Sequence, residues 1–411
     1  MCCFSISQDR SPFFWTLGRP TESLDICLRK HSVLPYVYVN IDFDHGLLGG
    51  NQMKKLLLGT ALAVVAASHA SAETYRAECF APAPGTATIQ GEAKDGPYKI
   101  AFVNGFAGND WRIAAIQASK AWAARPENAA NIEEFTVVSV GNDSAAQIAA
   151  IDNFIAAGYD AITFIAVNPS AFEPVIRRAE RQGTVLVPFD NVLDTDKVVQ
   201  INESQLELGR LKAQTVMDEL GGSAKKILMV NGLPGNATDR DRRLGMMSVF
   251  DKIDGLEIVE VVGNWDTGTS QKVVADALAT HGQFDAVVSQ HGAAGTINAM
   301  QAAGHPIVPM GVDGENGVRM LMDELNIPGI SASQAPAMSA VALEAAVALL
   351  QGNKLPQTVF LPIPQVAAAD LEAGVNYFPD LPKSFNTGTG FPDCFAPFTP
   401  EELLGQSADN T

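Results

Sequence analysis

A chain of 411 residues exceeds one ordinary domain and has room for two buried cores. Hydrophobic residues make up 47% and aromatics only 7%, the Ala-, Val- and Gly-rich balance usual in α/β proteins. A formal net charge of −18 excludes nucleic-acid binding, which needs a basic surface, and otherwise says only that the surface favours solubility.

The first distinctive segment starts at Met53 and reads MKKLLLGTALAVVAASHASA. Two lysines, the apolar stretch Leu56–Ala67 and Ala70-Ser71-Ala72 give the three parts of a secretory leader in order. The stretch is short for a bilayer span, so cleavage after Ala72 and a mature chain from Glu73 are expected. Residues 1–52 stand upstream of that leader and read as a start codon assigned too early. Gly49-Gly50-Asn51 matches a purine-rich ribosome-binding site translated as protein. Past the leader only Cys79 and Cys394 remain, and an even count in an oxidising compartment favours a disulfide, with two free thiols as the alternative.

After an N-terminal arm at 73–97, strand-like and helical segments alternate. The apolar runs are Lys99–Val103, Phe135–Ser139, Ala161–Val167, Val185–Pro188, Lys226–Val230, Glu257–Val262, Ala286–Ser289, Ile307–Met310 and Ile330–Ser333. Between most of them lie stretches of helical period, such as Asp143–Ala157, Gln205–Leu220 and Ser270–Thr280. Short buried strands alternating with helices predict parallel, doubly wound sheets, and nine strands predict two of them. The expected lobes are 98–203 with 335–354, and 204–334, joined by crossings near Val198–Glu203 and Ser331–Ala337. Met338–Gln351 is an apolar helix returning to lobe one. The Pro-, Gly- and Asn-rich remainder, 355–411, reads as a wrapping tail.

Chemistry-bearing motifs are few. His281, His291 and His305 form no metal-ligand pair, and the nucleophile-elbow and P-loop patterns are missing, so no enzyme, metal or cofactor is expected. Asn104-Gly105-Phe106-Ala107-Gly108-Asn109 resembles a glycine-rich βα turn, yet it is not the dinucleotide fingerprint.

Several blocks succeed one another: Asn109-Asp110-Trp111, GNDSAAQIAAIDNFIAAGYDAITF, NPSAFEPVIRRAERQG, PFDN, GLPGNATDRDRRLG, NWDTGTSQ and PMGVDG. Their order resembles the ribose-type family of periplasmic sugar-binding proteins, the two-lobed type I fold of ABC importers, over about Tyr98–Gly352. The resemblance implies ligand contacts at Asn109 and at the stacking aromatic Trp111. A second aromatic is replaced by Arg112. The family's Asp-Arg pair falls on Asp190 and Asn191, so the arginine is lost. Arg242, Trp265 and Asp313 match lobe-two contacts, His291 replaces an asparagine, and Gln334 matches the hinge glutamine.

These residue types suit a sugar on their own chemistry. Indoles cover apolar C–H faces, while Asp and Arg make charge-assisted bonds to hydroxyls. Plainer roles stay open: caps for Asn109 and Asp313, a turn for Asp190, a core histidine for His291. Trp111 and Trp265 also suit plain packing, and Arg242, beside Arg240 and Arg243, a solvated basic face. The resemblance implies a monomeric periplasmic protein that binds a monosaccharide or polyol and hands it to an inner-membrane ABC permease. A sensory protein presenting such a ligand to a membrane receptor is the alternative.

Overall fold

The computed structural model describes residues 75–409; the expected leader and the segment before it lie outside the described residues. In chain order the first half holds β1 (Thr88–Gln90), β2 (Tyr98–Asn104), α1 (Asp110–Ala124), α2 (Pro126–Ala129), β3 (Ile132–Ser139), α3 (Ser144–Ala156), β4 (Ala161–Phe164), α4 (Glu173–Gln182), β5 (Val185–Pro188) and β6 (Gln200–Glu203). Next come α5 (Gln205–Glu219), β7 (Lys226–Asn231), α6 (Ala237–Phe250), β8 (Glu257–Val262), α7 (Thr267–His281), β9 (Ala286–Ser289), α8 (Ala293–Ala302), β10 (Met310–Val312), α9 (Asn316–Leu325) and β11 (Gly329–Ala332). The chain ends with α10 (Met338–Leu350), β12 (Lys354–Pro356), β13 (Thr358–Leu361), β14 (Gln365–Ala367) and α11 (Pro400–Leu404).

Two sheets organise these elements, one ordered β3-β2-β4-β5 and the other β14-β11-β10-β9-β7-β8. All their pairings are parallel except that of β14 with β11. Side chains alternate across a strand, so each central strand supplies two cores. Ile100 and Phe102 of β2 enter one cluster with α1 and α10, while Ala101 and Val103 enter another with α3 and α4. In the second lobe Leu228 and Val230 of β7 face one way and Ile227 and Met229 the other. Each such fully buried side chain contributes about 1.5–3 kcal/mol.

All thirteen residues of α10 are buried. Apart from Ser339 and Glu344 the helix is apolar on every side, because β4 and β5 cover one face, while Phe80 and the tail residues Phe391 and Phe395 belong to the same cluster. Among the described residues no helix is long and apolar enough to cross a membrane.

The lobes are joined more than twice. β6 leads into α5, and residues 332–338 return. β13 pairs with β6 in lobe one, after which β14 joins the edge of the lobe-two sheet. The tail then stays on lobe two, where Asn316 exchanges hydrogen bonds with Phe378 and Arg319 donates to the carbonyl of Asn376. It finally returns to lobe one. There Cys394 is bonded to Cys79 and Arg125 pairs with Glu402 at 3.1 Å.

Two expected strands differ. The run Ala161–Val167 ends as a strand at Phe164, because Gln147 takes over the next backbone groups: its Nε2 donates to Ile165 O and its Oε1 accepts from Val167 N, both at 2.8 Å. The run Ile307–Met310 contributes only its last residue, since Pro306 and Pro309 offer no N–H to a ladder; the strand is Met310–Val312.

Candidate functional site

The carboxyl ends of both parallel sheets face one cleft, where open α/β sheets bind ligands. Its inner part is a narrow cavity of about 40 Å³. From lobe one, Asn109, Trp111, Arg112 and Asp190 line it. From lobe two come Arg242, Trp265, His291 and Asp313, and Gln334 closes it at the crossing.

Local folding fixes each side chain. Asn109 caps α1, its Oδ1 accepting from Arg112 N at 2.9 Å, so the capping role and the cavity position coexist. That turn aims Trp111 across the crossing, where its indole N–H donates to Gln334 O at 2.8 Å. Arg112 donates from Nη1 to Asn104 Oδ1 at 2.9 Å and sets Nη2 3.3 Å from Asp190 Oδ2. Asp190 and Trp265 hold φ of 61° and 56°, a left-handed backbone that costs non-glycine residues free energy and concentrates at functional sites.

Arg242 is separated from its neighbours by helix geometry. Arg240 pairs with Asp241 and Arg243 with Glu260 on the surface, whereas Arg242 turns inward. A Cβ on Gly209 of α5 would come within 2.0 Å of Arg242 O, so that glycine lets α6 approach and sets the guanidinium height. Its Nε donates to Gln205 Oε1 and its Nη2 to Gln334 Oε1, each at 2.8 Å. Gln334 in turn donates to Asn202 Oδ1 at 3.2 Å.

Asn191 departs from the expectation. Its Oδ1 accepts from Thr238 Oγ1 at 2.6 Å, and the residue borders an outer chamber instead of the inner cavity. Thr238, Gln290 and Ser333 line the inner cavity although sequence reasoning passed over them. Thr238 lies one helical turn before Arg242, on the same face, and that spacing was the available signal. Gln290 and Ser333 simply adjoin His291 and Gln334.

Burial shapes the electrostatics. It lifts the Asp190 carboxyl above its ordinary value, against the opposing pull of Arg112 and Arg242. Burial also lowers both guanidiniums, with Asp190 resisting. His291 goes the other way: burial alone lowers it, but Glu315 and Asp313 outweigh that and push its pKa up to about 9. Its Nε2 lies 2.9 Å from Glu315 Oε1 and its Nδ1 3.7 Å from Asp313 Oδ2. Asp313 also accepts from Ala293 N at the start of α8 and from Glu315 N, each at 3.1 Å. The donor atoms of His291, Asp313 and Glu315 fall within 4.8 Å of one another, and these partners engage them. The lining thus sets Arg112, Arg242 and His291 beside Asp190 and Asp313, groups able to donate to and accept from the hydroxyls of a sugar.

Comparison with known proteins places the chain among relatives of one family. The model of a family described as the periplasmic binding protein domain matches residues 100–354. The chain is 26% identical over 231 residues to the ribose import binding protein of Bacillus subtilis (strain 168), across 55% of this chain and 75% of that one. It is 24% identical over 255 residues to the xylitol-binding protein of Mycolicibacterium smegmatis, across 60% and 72% of the two chains. Among solved structures, an ABC transporter solute binding protein from Thermobispora bispora superposes with a TM-score of 0.63 at 25% identity, covering 75% of this chain and 94% of that one.

Proposed function

The chain belongs to the periplasmic binding protein family, whose members bind solutes without transforming them, and from that premise we propose that it captures one neutral monosaccharide or polyol between its lobes. Closed on its ligand, it presents the molecule to an ABC permease in the inner membrane. The leader expected at 53–72 supports export.

One observation carries the reading: Asp190 and Arg112 from one lobe share a single cavity with Arg242 and Asp313 from the other. A ligand that bonds both lobes has higher affinity for the closed state and shifts the population toward it. Each charge-assisted hydrogen bond contributes roughly 1.5–3 kcal/mol, and a sugar lacking the matching hydroxyl leaves a buried partner unpaired. Relatives named for ribose and xylitol support both a cyclic and an open-chain polyol as candidates.

A thermal-shift screen of pentoses, hexoses and polyols tests this. At a hundredfold excess over its dissociation constant a true ligand adds about 2.7 kcal/mol of stability. A screen in which every such compound leaves the melting temperature unmoved overturns the proposal.

A further inference from the structure

Beyond Asn109, Arg112 and Trp265, which border both spaces, the cleft opens into a second chamber of about 440 Å³. The inner cavity is close-fitting, whereas the outer one falls within the roughly 300–1,000 Å³ usual for small-ligand pockets. Its walls again come from both lobes: Phe106, Ile165 and Val167 on one side, Leu233 and Pro234 on the other.

Two aromatic rings flank it in similar ways. The Phe106 ring lies over Gly108, where a Cβ would come within 2.0 Å of the ring, and the side chain stays 40% exposed. The Trp265 indole lies over Gly232, where a Cβ would come within 2.1 Å of its Nε1. That N–H already donates to Gln290 Oε1 at 3.1 Å, so what Trp265 offers the chamber is its apolar surface. The polar groups at the edge are largely engaged elsewhere. Asn191 accepts from Thr238 Oγ1, Asn236 caps α6 through Thr238 N, and Asp266 caps α7 through Thr269. Asn142 and Asn264 also border the space, so its lining sets amides beside the apolar and aromatic surface of Phe106, Ile165, Val167, Leu233 and Trp265.

We propose that the outer chamber is a second subsite, which takes a flat apolar substituent carried by the sugar held in the inner cavity. The ligand class then extends from free sugars to glycosides with an aromatic aglycone. This rests on the sugar-binding reading above, because the inner cavity must anchor the sugar ring while the aglycone lies between Phe106 and Trp265.

Titration calorimetry on the purified protein separates the two claims. The probes are D-ribose, D-xylose and D-allose, each free and as its methyl and phenyl glycoside. The subsite predicts that the phenyl glycoside of the accepted sugar binds about tenfold tighter than the methyl glycoside, the size of one aromatic contact. Phe106→Ala should erase that difference and leave the free sugar's affinity within about twofold. Free sugar binding with the phenyl glycoside excluded, or no tighter than the methyl one, overturns the subsite alone. Failure of every probe overturns the subsite, while the sugar reading itself falls only if the wider thermal-shift screen also finds no ligand.

Discussion

Arg242 donates from Nη2 to Gln334 Oε1 at 2.8 Å, tying a helix of one lobe to the segment that crosses to the other. With Nε engaged by Gln205, and Nη1 only 3.5 Å from Gln290 O, the guanidinium has one edge left for a ligand. Lysine keeps the charge and loses this fork. Arg242→Lys should therefore weaken sugar binding by about 10–100-fold in titration calorimetry, the worth of one charge-assisted bond. Unchanged affinity would remove Arg242 from the proposed contacts.

Asp190 invites a similar substitution with a different control. Its φ of 61° is one that asparagine tolerates well, so Asp190→Asn changes charge without adding backbone strain. The variant should retain its far-ultraviolet circular dichroism and lose about tenfold or more in sugar affinity, since it trades a carboxylate acceptor for an amide and leaves Arg112 unpaired. Wild-type affinity in this variant would assign Asp190 to the turn alone.

The pH dependence of stability carries a signature of His291. Its folded pKa of about 9 exceeds the ordinary 6.5, so the folded state holds the proton more tightly. The resulting stabilisation, on the order of 3 kcal/mol, is complete below pH 6.5 and is lost as the pH rises toward 9. Lys212, pushed by burial down to about 7, contributes the opposite slope, but it is common to both proteins in the comparison. Across pH 6.5–9 the wild type should lose melting temperature relative to His291→Gln. A difference that stays constant across the window would show an unperturbed imidazole.

Glu344 lies in the wholly buried α10, and its Oε1 has no partner among the described residues. Burial pushes its pKa up to about 8 from an ordinary 4.5. The unfolded chain therefore ionises first, so the folded state loses ground as the pH rises from 4.5 through 8. Glu344→Gln does not ionise and should be the more stable protein at pH 8, by about 4 kcal/mol or several degrees in Tm, with the gain fading toward pH 4.5. Equal melting curves at pH 8 would contradict the assignment.

The sequence made the two-sheet α/β fold legible because each central strand is apolar on both faces and each loop after it carries its own signature. Nine of the ten residues expected to contact a ligand border one cavity. What escaped depends on direction rather than position. Asn191 follows Asp190 at the same strand end, yet neighbouring side chains leave a chain in different directions, and a hydrogen bond from Thr238 claims it. Gln290 and Ser333 carry no signal beyond adjacency. β14 is only three residues long, and its partner β11 ends more than thirty positions earlier, so neither period nor spacing marks it.

The tail described earlier has a thermodynamic consequence. Its residues complete the lobe-two sheet edge at β14 and then seal the lobe-one core at Phe391, Cys394 and Phe395. Neither lobe is therefore whole without a segment that the other also anchors. Heating should melt both together, as one calorimetric peak whose measured enthalpy equals the van't Hoff value. Two resolved peaks would mean that the tail detaches first and that the lobes are separate folding units.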